Sequence, residues 1–259
     1  MGSAKSQGDL WGVAAQDWSD LQEPQHGPLF EAMLNQAGVT SGTRFLDAGC
    51  GGGSASLLAE QRGAAVSGLD AAASMVEIAQ MRVPTGDFRV GDIQELPFDD
   101  KVFDAVIAAN SVQYSEDRIA TLRELMRISS EDGKVVVGLF STPDKVQYSS
   151  IINAVRDTLP EPPPGNGPFE LSKSGVLEDL MQTAGFTVES SGEVDCPFDY
   201  PDFETLWRVN VAAGPFQAAM KSVSEDQLKR AVRDAARPFQ NNNGGMHFKN
   251  TFIYITATR

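Results

Sequence analysis

Phe45-Leu46-Asp47-Ala48-Gly49-Cys50-Gly51-Gly52-Gly53 is the stretch whose reading decides the fold. Arg44 to Leu46 predicts a short apolar strand and Ser54 to Glu60 the first turns of a helix, with four glycines in five residues between them. Such a strand–turn–helix unit lets a ligand approach the backbone closely, because no Cβ stands in the way. It also aims the unpaired N–H groups of the helix N-terminus at whatever is bound. The spacing departs from the dinucleotide fingerprint G-x-G-x-x-G: counted from Gly49 the last glycine falls on Ser54, and counted from Gly51 it falls on Ser56. Asp47, two residues before the first glycine, would set a second negative charge close to a pyrophosphate. It suits a cationic group better.

The chain has 259 residues, 41% hydrophobic and 22% charged, which is ordinary globular composition for an α/β domain with insertions. A chain of this length folds without disulfides or metal. Its two cysteines, Cys50 and Cys196, show no metal-ligand spacing and read as reduced thiols. No run of eighteen apolar residues and no signal-peptide core is present, so the expected location is the cytoplasm, away from membranes. The net charge is −14, with fourteen acids against five bases in residues 1–100. A nucleic-acid binder would show a basic face, so nucleic-acid partners are not expected.

Outward from the glycine turn, Leu10, Val13, Ala14, Asp17, Trp18 and Leu21 predict one amphipathic helix over Asp9 to Gln22. Pro24 and Pro28 predict a break, and Leu29 to Ala37 a second helix ended by Gly38. In this reading Trp11 is a core anchor, and Trp18 is either core or a lid over the ligand. From Arg44 onward strand and helix signals alternate: strands at Ala65–Leu69, Asp87–Val90, Val102–Ala108 and Val135–Phe140, and helices at Ser74–Arg82 and Ile119–Ser129. This predicts a doubly wound, Rossmann-like α/β fold with a mostly parallel sheet. Beyond Phe140 the expectation is a helix within Thr142–Leu159, a stiff proline-rich loop at Pro160–Pro168, a helix at Ser172–Ala184 and a strand at Phe186–Val194. Helices follow around Phe203–Val211 and Glu225–Ala236, then a flexible Asn241–Gly245 turn and a last strand at Phe248–Thr258.

Ligands of parallel sheets bind beyond the carboxyl ends of the strands. Asp47, Asp70, Asp92 and Asn110 stand at four such ends, one per strand. Each alone is an ordinary turn or cap residue; the ordered set is not. The Asp47-x-Gly49-x-Gly51-x-Gly53 turn resembles that of class I S-adenosylmethionine-dependent methyltransferases. Gly68-Leu69-Asp70, Gly91-Asp92-Ile93-Gln94-Glu95-Leu96-Pro97-Phe98 and Phe103-Asp104-Ala105-Val106 are similar to successive segments of the same domain. Together with Trp11…Trp18…Glu23-Pro24 they look closest to the small-molecule group that includes the ubiquinone/menaquinone-type C-methyltransferases. Ala72 stands where the family often has serine, a local departure that Ser74 can offset as a cap.

The resemblance implies one methyltransferase domain over 1–259, with a seven-stranded sheet whose sixth and seventh strands pair antiparallel. It divides into an N-terminal helical cap (about 9–38), a cofactor core (about 42–140) and acceptor-side insertions (about 141–170 and 197–247) that cover the sheet's carboxyl edge. It implies S-adenosylmethionine as cofactor, with Asp70 on the ribose hydroxyls and with Asp92 and Ile93 on the adenine. Trp18, Asp47, Ala48, Gly49, Gly51, Ala71, Met75 and Asn110 complete the expected cofactor set. Two other readings stand beside it. A nicotinamide dehydrogenase is disfavoured by Asp47 and the broken glycine spacing; a non-catalytic module would keep the cofactor pocket without turnover.

Methyl transfer from a sulfonium is an in-line displacement that demands alignment more than a covalent helper. No nucleophile triad, HExxH or Walker turn occurs here. A base is needed only if the acceptor must lose a proton, and the candidates are His26, His247 and Tyr114. Asn110-Ser111-Val112-Gln113 lacks the prolines of DNA adenine methyltransferases. The expected acceptor is a small aromatic or lipid-like molecule, walled by aromatics drawn from Phe140, Phe169, Phe198, Tyr200, Phe203, Trp207 and Phe216. Within the insertions, Phe203 and Trp207 are expected at the acceptor, and the proline-rich loop and the Asn241–Gly245 turn as a cover that opens.

Overall fold

The computed structural model describes residues 3–163, 165 and 167–259. Seven strands form the central sheet: β1 Arg44–Ala48, β2 Ala65–Asp70, β3 Asp87–Val90, β4 Phe103–Ala109, β5 Ser129–Phe140, β6 Thr187–Asp195 and β9 Thr251–Thr258. Two more, β7 Phe198–Tyr200 and β8 Met246–Phe248, pair as a separate antiparallel ribbon. The sheet order is β3-β2-β1-β4-β5-β9-β6. Neighbours from β3 to β5 run parallel, while β9 runs antiparallel to both β5 and β6. The order reverses between β1 and β4, the switch point where such sheets open a crevice at their carboxyl ends.

Alternation along each strand divides the core into two layers. Phe45, Ile107 and Val136 face one side with Leu29, Met33 and Phe252. Leu46, Val106, Val135 and Val137 face the other with Leu122, Leu125 and Ile255. Two helices start where a short polar residue caps them: Asp117 accepts from the Ala120 N–H at the crossover helix Arg118–Ile128, and Asp202 from that of Thr205 at helix Phe203–Ala212.

The N-terminal segment departs from the sequence reading. In place of one helix over Asp9 to Gln22, a helix Ala4–Trp11 ends at Gly12, a short turn Ala15–Asp17 follows, and a π-helical turn Trp18–Gln22 runs into a tight turn Glu23–His26. Packing overrides the periodicity. A Cβ on Gly8 would lie 2.3 Å from the Ala71 carbonyl oxygen, and Ser74 Oγ donates to the Gly12 carbonyl at 3.0 Å. The first helix thus lies on the β2–helix connection. Pro24 and Pro28 do not break the chain; each stands in the first turn of the element it opens, where a missing N–H costs nothing.

The expected last strand is two. Met246–Phe248 pairs with β7, and the chain turns at Asn250, whose side-chain oxygen accepts the Tyr148 N–H at 3.0 Å, before β9 enters the sheet. A helix Gly214–Ala219 was not foreseen. Phe45, fully buried on central strand β1, should cost about 3–5 kcal/mol when replaced by alanine; urea unfolding followed by circular dichroism measures it.

Candidate functional site

At the carboxyl end of β1 the glycine turn folds over β2. The N–H groups of Gly49 and Cys50 both donate to the Leu69 carbonyl, at 2.7 and 2.9 Å. Asp70 closes the turn from the end of β2: one carboxylate oxygen accepts the Gly51 N–H and the other the Ala72 N–H, each at 2.9 Å. Each oxygen keeps a lone pair for a further donor.

The space that the glycines leave is filled by the protein itself. A Cβ at Gly49 would strike Ser111, one at Gly51 the Glu23 carboxylate, and one at Gly52 the Ser19 hydroxyl, all within 2.4 Å. Glu23 is 5% exposed, and one of its oxygens accepts the Gly52 N–H at the start of helix Ser54–Gln61. The other accepts from Ser54 Oγ at 2.8 Å and from Arg82 Nη1 at 2.9 Å. Arg82 also donates to the Gly52 carbonyl at 2.7 Å and to that of Ser19 at 3.2 Å. The anion seat of this helix is therefore taken by a carboxylate of the chain itself. Sequence reasoning missed the pair, since the partners stand 59 residues apart and no local pattern joins them.

Above the turn lies a cavity of about 250 Å³. Trp18, Asp47, Gly49, Gly51, Asp70, Ala71, Met75, Asp92, Ile93 and Asn110 all line it. Ala48 does not: its side chain is buried in the sheet and its carbonyl accepts from Ser111 Oγ at 2.8 Å. Asn110 holds a left-handed backbone at φ 51°, and its buried side-chain oxygen has no hydrogen-bond partner among the described residues. That orphaned acceptor asks for a ligand donor.

Asp47 is 2% exposed and accepts from Ser56 Oγ at 2.8 Å. Burial pushes its carboxyl up to about 7, and the nearby charges of Glu23 and Asp70 add to the rise. Burial likewise raises Asp70 and Glu23. No lysine or arginine lines the cavity among the described residues.

Several other expectations are redrawn. Trp11 packs against the buried Ala15, Ala72, Met75 and Ile78 as a core anchor would, and it also lines the cavity, edge-on to Trp18 with centroids 4.7 Å apart. His26 lines it too, and burial pulls its imidazole down to about 4, so it is neutral. Tyr114 faces the same space. His247 does not, being paired with Asp199 on the β7–β8 ribbon at 2.7 Å.

Of the seven aromatics, Phe140, Phe198 and Phe216 line the cavity, while Phe169, Tyr200, Phe203 and Trp207 do not. Trp207 is buried in the core, and Phe203 lies beneath the Arg233 guanidinium. The Asn241–Gly245 turn is pinned by Asn241, which accepts the Asn243 and Gly245 N–H groups, and it contributes nothing to the walls. Pro168 of the proline-rich loop lines the cavity; Pro164 and Asn166 lie outside the described residues. Among the described residues no cluster of three or more His, Cys, Asp or Glu is arranged to hold a metal ion.

Residues 46–137 match the methyltransferase domain family. That stretch, residues 46–137 of 259, is similar to a methyltransferase domain. A malonyl-[acyl-carrier protein] O-methyltransferase of Serratia marcescens is 35% identical over 43% of this chain and 43% of its own length. A demethylmenaquinone methyltransferase of Thermotoga maritima is 36% identical over 34% of this chain and 38% of its own. The matched stretch thus spans less than half of either curated relative. The crystal structure of the YcgJ protein of Bacillus subtilis superposes with a TM-score of 0.60 at 20% identity, over 89% of this chain and 97% of that one. That likeness is one of fold, and it extends over nearly the whole chain.

Replacing Arg82 by methionine strands the buried Glu23 carboxylate and should cost about 3–5 kcal/mol in urea unfolding. Adding Glu23→Gln should recover part of the loss, because the uncompensated charge is then gone.

Proposed function

We propose that the protein binds S-adenosylmethionine in this cavity and transfers its methyl group to a small-molecule acceptor. The observation that carries the reading is the occupied anion seat: the Glu23 carboxylate sits on the Gly52 N–H, where a dinucleotide would need its pyrophosphate. The ligand end of the cavity is lined by Asp47, Asp70 and Asp92, which suits a cationic, phosphate-free cofactor. A nicotinamide dinucleotide meets repulsion there.

The residues fit the group. Asp70 would hold the ribose hydroxyls through its two spare lone pairs. Asp92 would take the adenine amino group, with Ile93 and Met75 packed on the ring. Asp47, Asn110 and the Gly49–Gly51 backbone would face the amino acid end, with Trp18 and Ala71 closing over it. The cofactor supplies an electrophilic methyl group on a sulfonium, so the chain's own task is alignment and the exclusion of water.

The insertions carry the acceptor side, since Tyr148, Ile152, Phe198 and Phe216 continue the same cavity. A net charge of −14 and walls without a lysine or arginine among the described residues argue against nucleic-acid substrates. Two free buried cysteines, and no helix among the described residues long and apolar enough to cross a membrane, support a cytoplasmic location.

Calorimetry should detect S-adenosylmethionine and S-adenosylhomocysteine but no NAD, and radiolabelled methyl transfer to a metabolite extract should then separate turnover from mere binding. Asp70→Ala should weaken the cofactor by roughly 10- to 150-fold, the loss of a hydrogen bond to a charged acceptor. Binding should also depend on pH. The Asp47 carboxyl, at about 7 in the free protein, is protonated at pH 5.5 and must shed that proton to face a cation. Affinity should therefore rise with pH by up to roughly tenfold per unit and level off above neutrality. Asp47→Asn should remove most of the slope, leaving what Glu23 and Asp70 contribute.

A further inference from the structure

The cavity walls hold charge of one sign. Glu23, Asp47, Asp70 and Asp92 line it, and among the described residues no lysine or arginine does. The amino acid end of S-adenosylmethionine carries both signs, an ammonium and a carboxylate. The acids and the orphaned Asn110 oxygen suit the ammonium. The carboxylate is left to neutral N–H and O–H donors.

One such donor is built into the wall beside the glycine turn. Gln22 is 3% exposed, lines the cavity and directly precedes Glu23, which accepts the Gly52 N–H of that turn. The charge of Glu23 is already answered by Arg82 at 2.9 Å. Tyr200 Oη donates to Gln22 Oε1 at 2.6 Å. Tyr200 is itself buried on β7, so the strand fixes which end of the amide meets the protein. The Gln22 side-chain nitrogen has no acceptor among the described residues. A buried amide with its oxygen satisfied and its nitrogen unpaired asks for an acceptor from a ligand.

The other free donors of the walls stand elsewhere. Gln7 and Tyr114 flank the nucleoside side, where Gly8 abuts the Ala71 carbonyl and Ser3 Oγ donates to the Tyr114 carbonyl at 2.9 Å. His26 stands among the rings of Phe30, Phe198 and Phe252. Trp18, on the same turn as Gln22, brings a single indole N–H.

We propose that the Gln22 side-chain amide, held by Tyr200, is the seat of the cofactor's carboxylate. The proposal deepens the methyltransferase reading and rests on it. A neutral amide here takes the place that a cation would otherwise fill. A lysine or arginine at this point would draw Asp47 and Asp70 onto itself and weaken their hold on the ammonium. An uncharged donor avoids that, and its bond to a carboxylate gains strength in a wall shielded from water. Gln22 binds and orients in this scheme; it takes no part in the methyl step.

The test compares two ligands that differ by that one group, S-adenosylhomocysteine and its decarboxylated analogue S-adenosyl-3-thiopropylamine. Both are titrated calorimetrically into the full chain above neutrality, where Asp47 is ionised. The unaltered protein should bind S-adenosylhomocysteine at least about tenfold more tightly, the value of a hydrogen bond to a charged group. Gln22→Met should erase that preference by weakening S-adenosylhomocysteine while leaving the amine analogue where it was. The single variant strands the Tyr200 hydroxyl, so the pair Gln22→Met with Tyr200→Phe, which removes both partners, should fold more readily and show the same loss. Trp18→Phe, which removes the neighbouring N–H, should keep the preference. Equal binding of the two ligands by the unaltered protein, a preference that survives in a folded Gln22 variant, or one that vanishes in Trp18→Phe would each overturn the proposal. Failure of both ligands to bind the unaltered protein sinks the methyltransferase reading itself.

Discussion

The Glu23 carboxylate, seated on the glycine turn and clamped by Arg82, is the interaction on which the site depends. One side chain performs three tasks. It satisfies the Gly52 N–H and complements the dipole of helix Ser54–Gln61. It also fastens the N-terminal segment to the sheet through Arg82, which reaches the Ser19 carbonyl as well. With that segment come Trp11, Trp18 and His26, and hence the roof of the cavity. The cost of burying the acid is met by three donors, one of them the Arg82 cation, an arrangement stable only while all partners stay in place.

The glycines acquire a different meaning from the one that the sequence suggests. A run such as Gly49-Cys50-Gly51-Gly52-Gly53 reads as room for a ligand. In the folded chain that room is largely spent on the protein's own contacts, with Ser111, Glu23 and Ser19 occupying the places where Cβ atoms would stand. The turn is thus a three-way joint between β1, the N-terminal cap and the segment after β4. A substitution there would disturb the roof before it touched a ligand.

How much of this was legible depended on the range of the forces involved. The mostly parallel sheet and the convergence of Asp47, Asp70, Asp92 and Asn110 follow from local periodicity plus one rule about strand ends; the order of the strands within the sheet does not. Ala48 was misplaced because neighbours along a strand point to opposite faces, and adjacency to Asp47 sent it into the sheet. The aromatics failed for another reason. Phe203 and Phe216 look alike in sequence, and only the packing of helices Phe203–Ala212 and Gly214–Ala219 puts one under Arg233 and the other in the cavity. The Glu23–Arg82 pair left no local trace at all. The N-terminal helix was misread because Gly8 and Gly12 pack against the distant Ala71 backbone and Ser74, contacts that no local periodicity reports.

The position of β9 bears on how the chain comes to be folded at all. This strand lies between β5 and β6, antiparallel to both. Until Thr251–Thr258 leaves the ribosome, β6 has no neighbour to pair with and β5 presents an open edge. An emerging chain therefore carries two unsatisfied strand borders for as long as the intervening helices take to be synthesised, and exposed borders of this kind recruit other chains. The last strand acts as a keystone, set after the stones on either side, and a nascent chain stalled short of it is the form most in need of a chaperone.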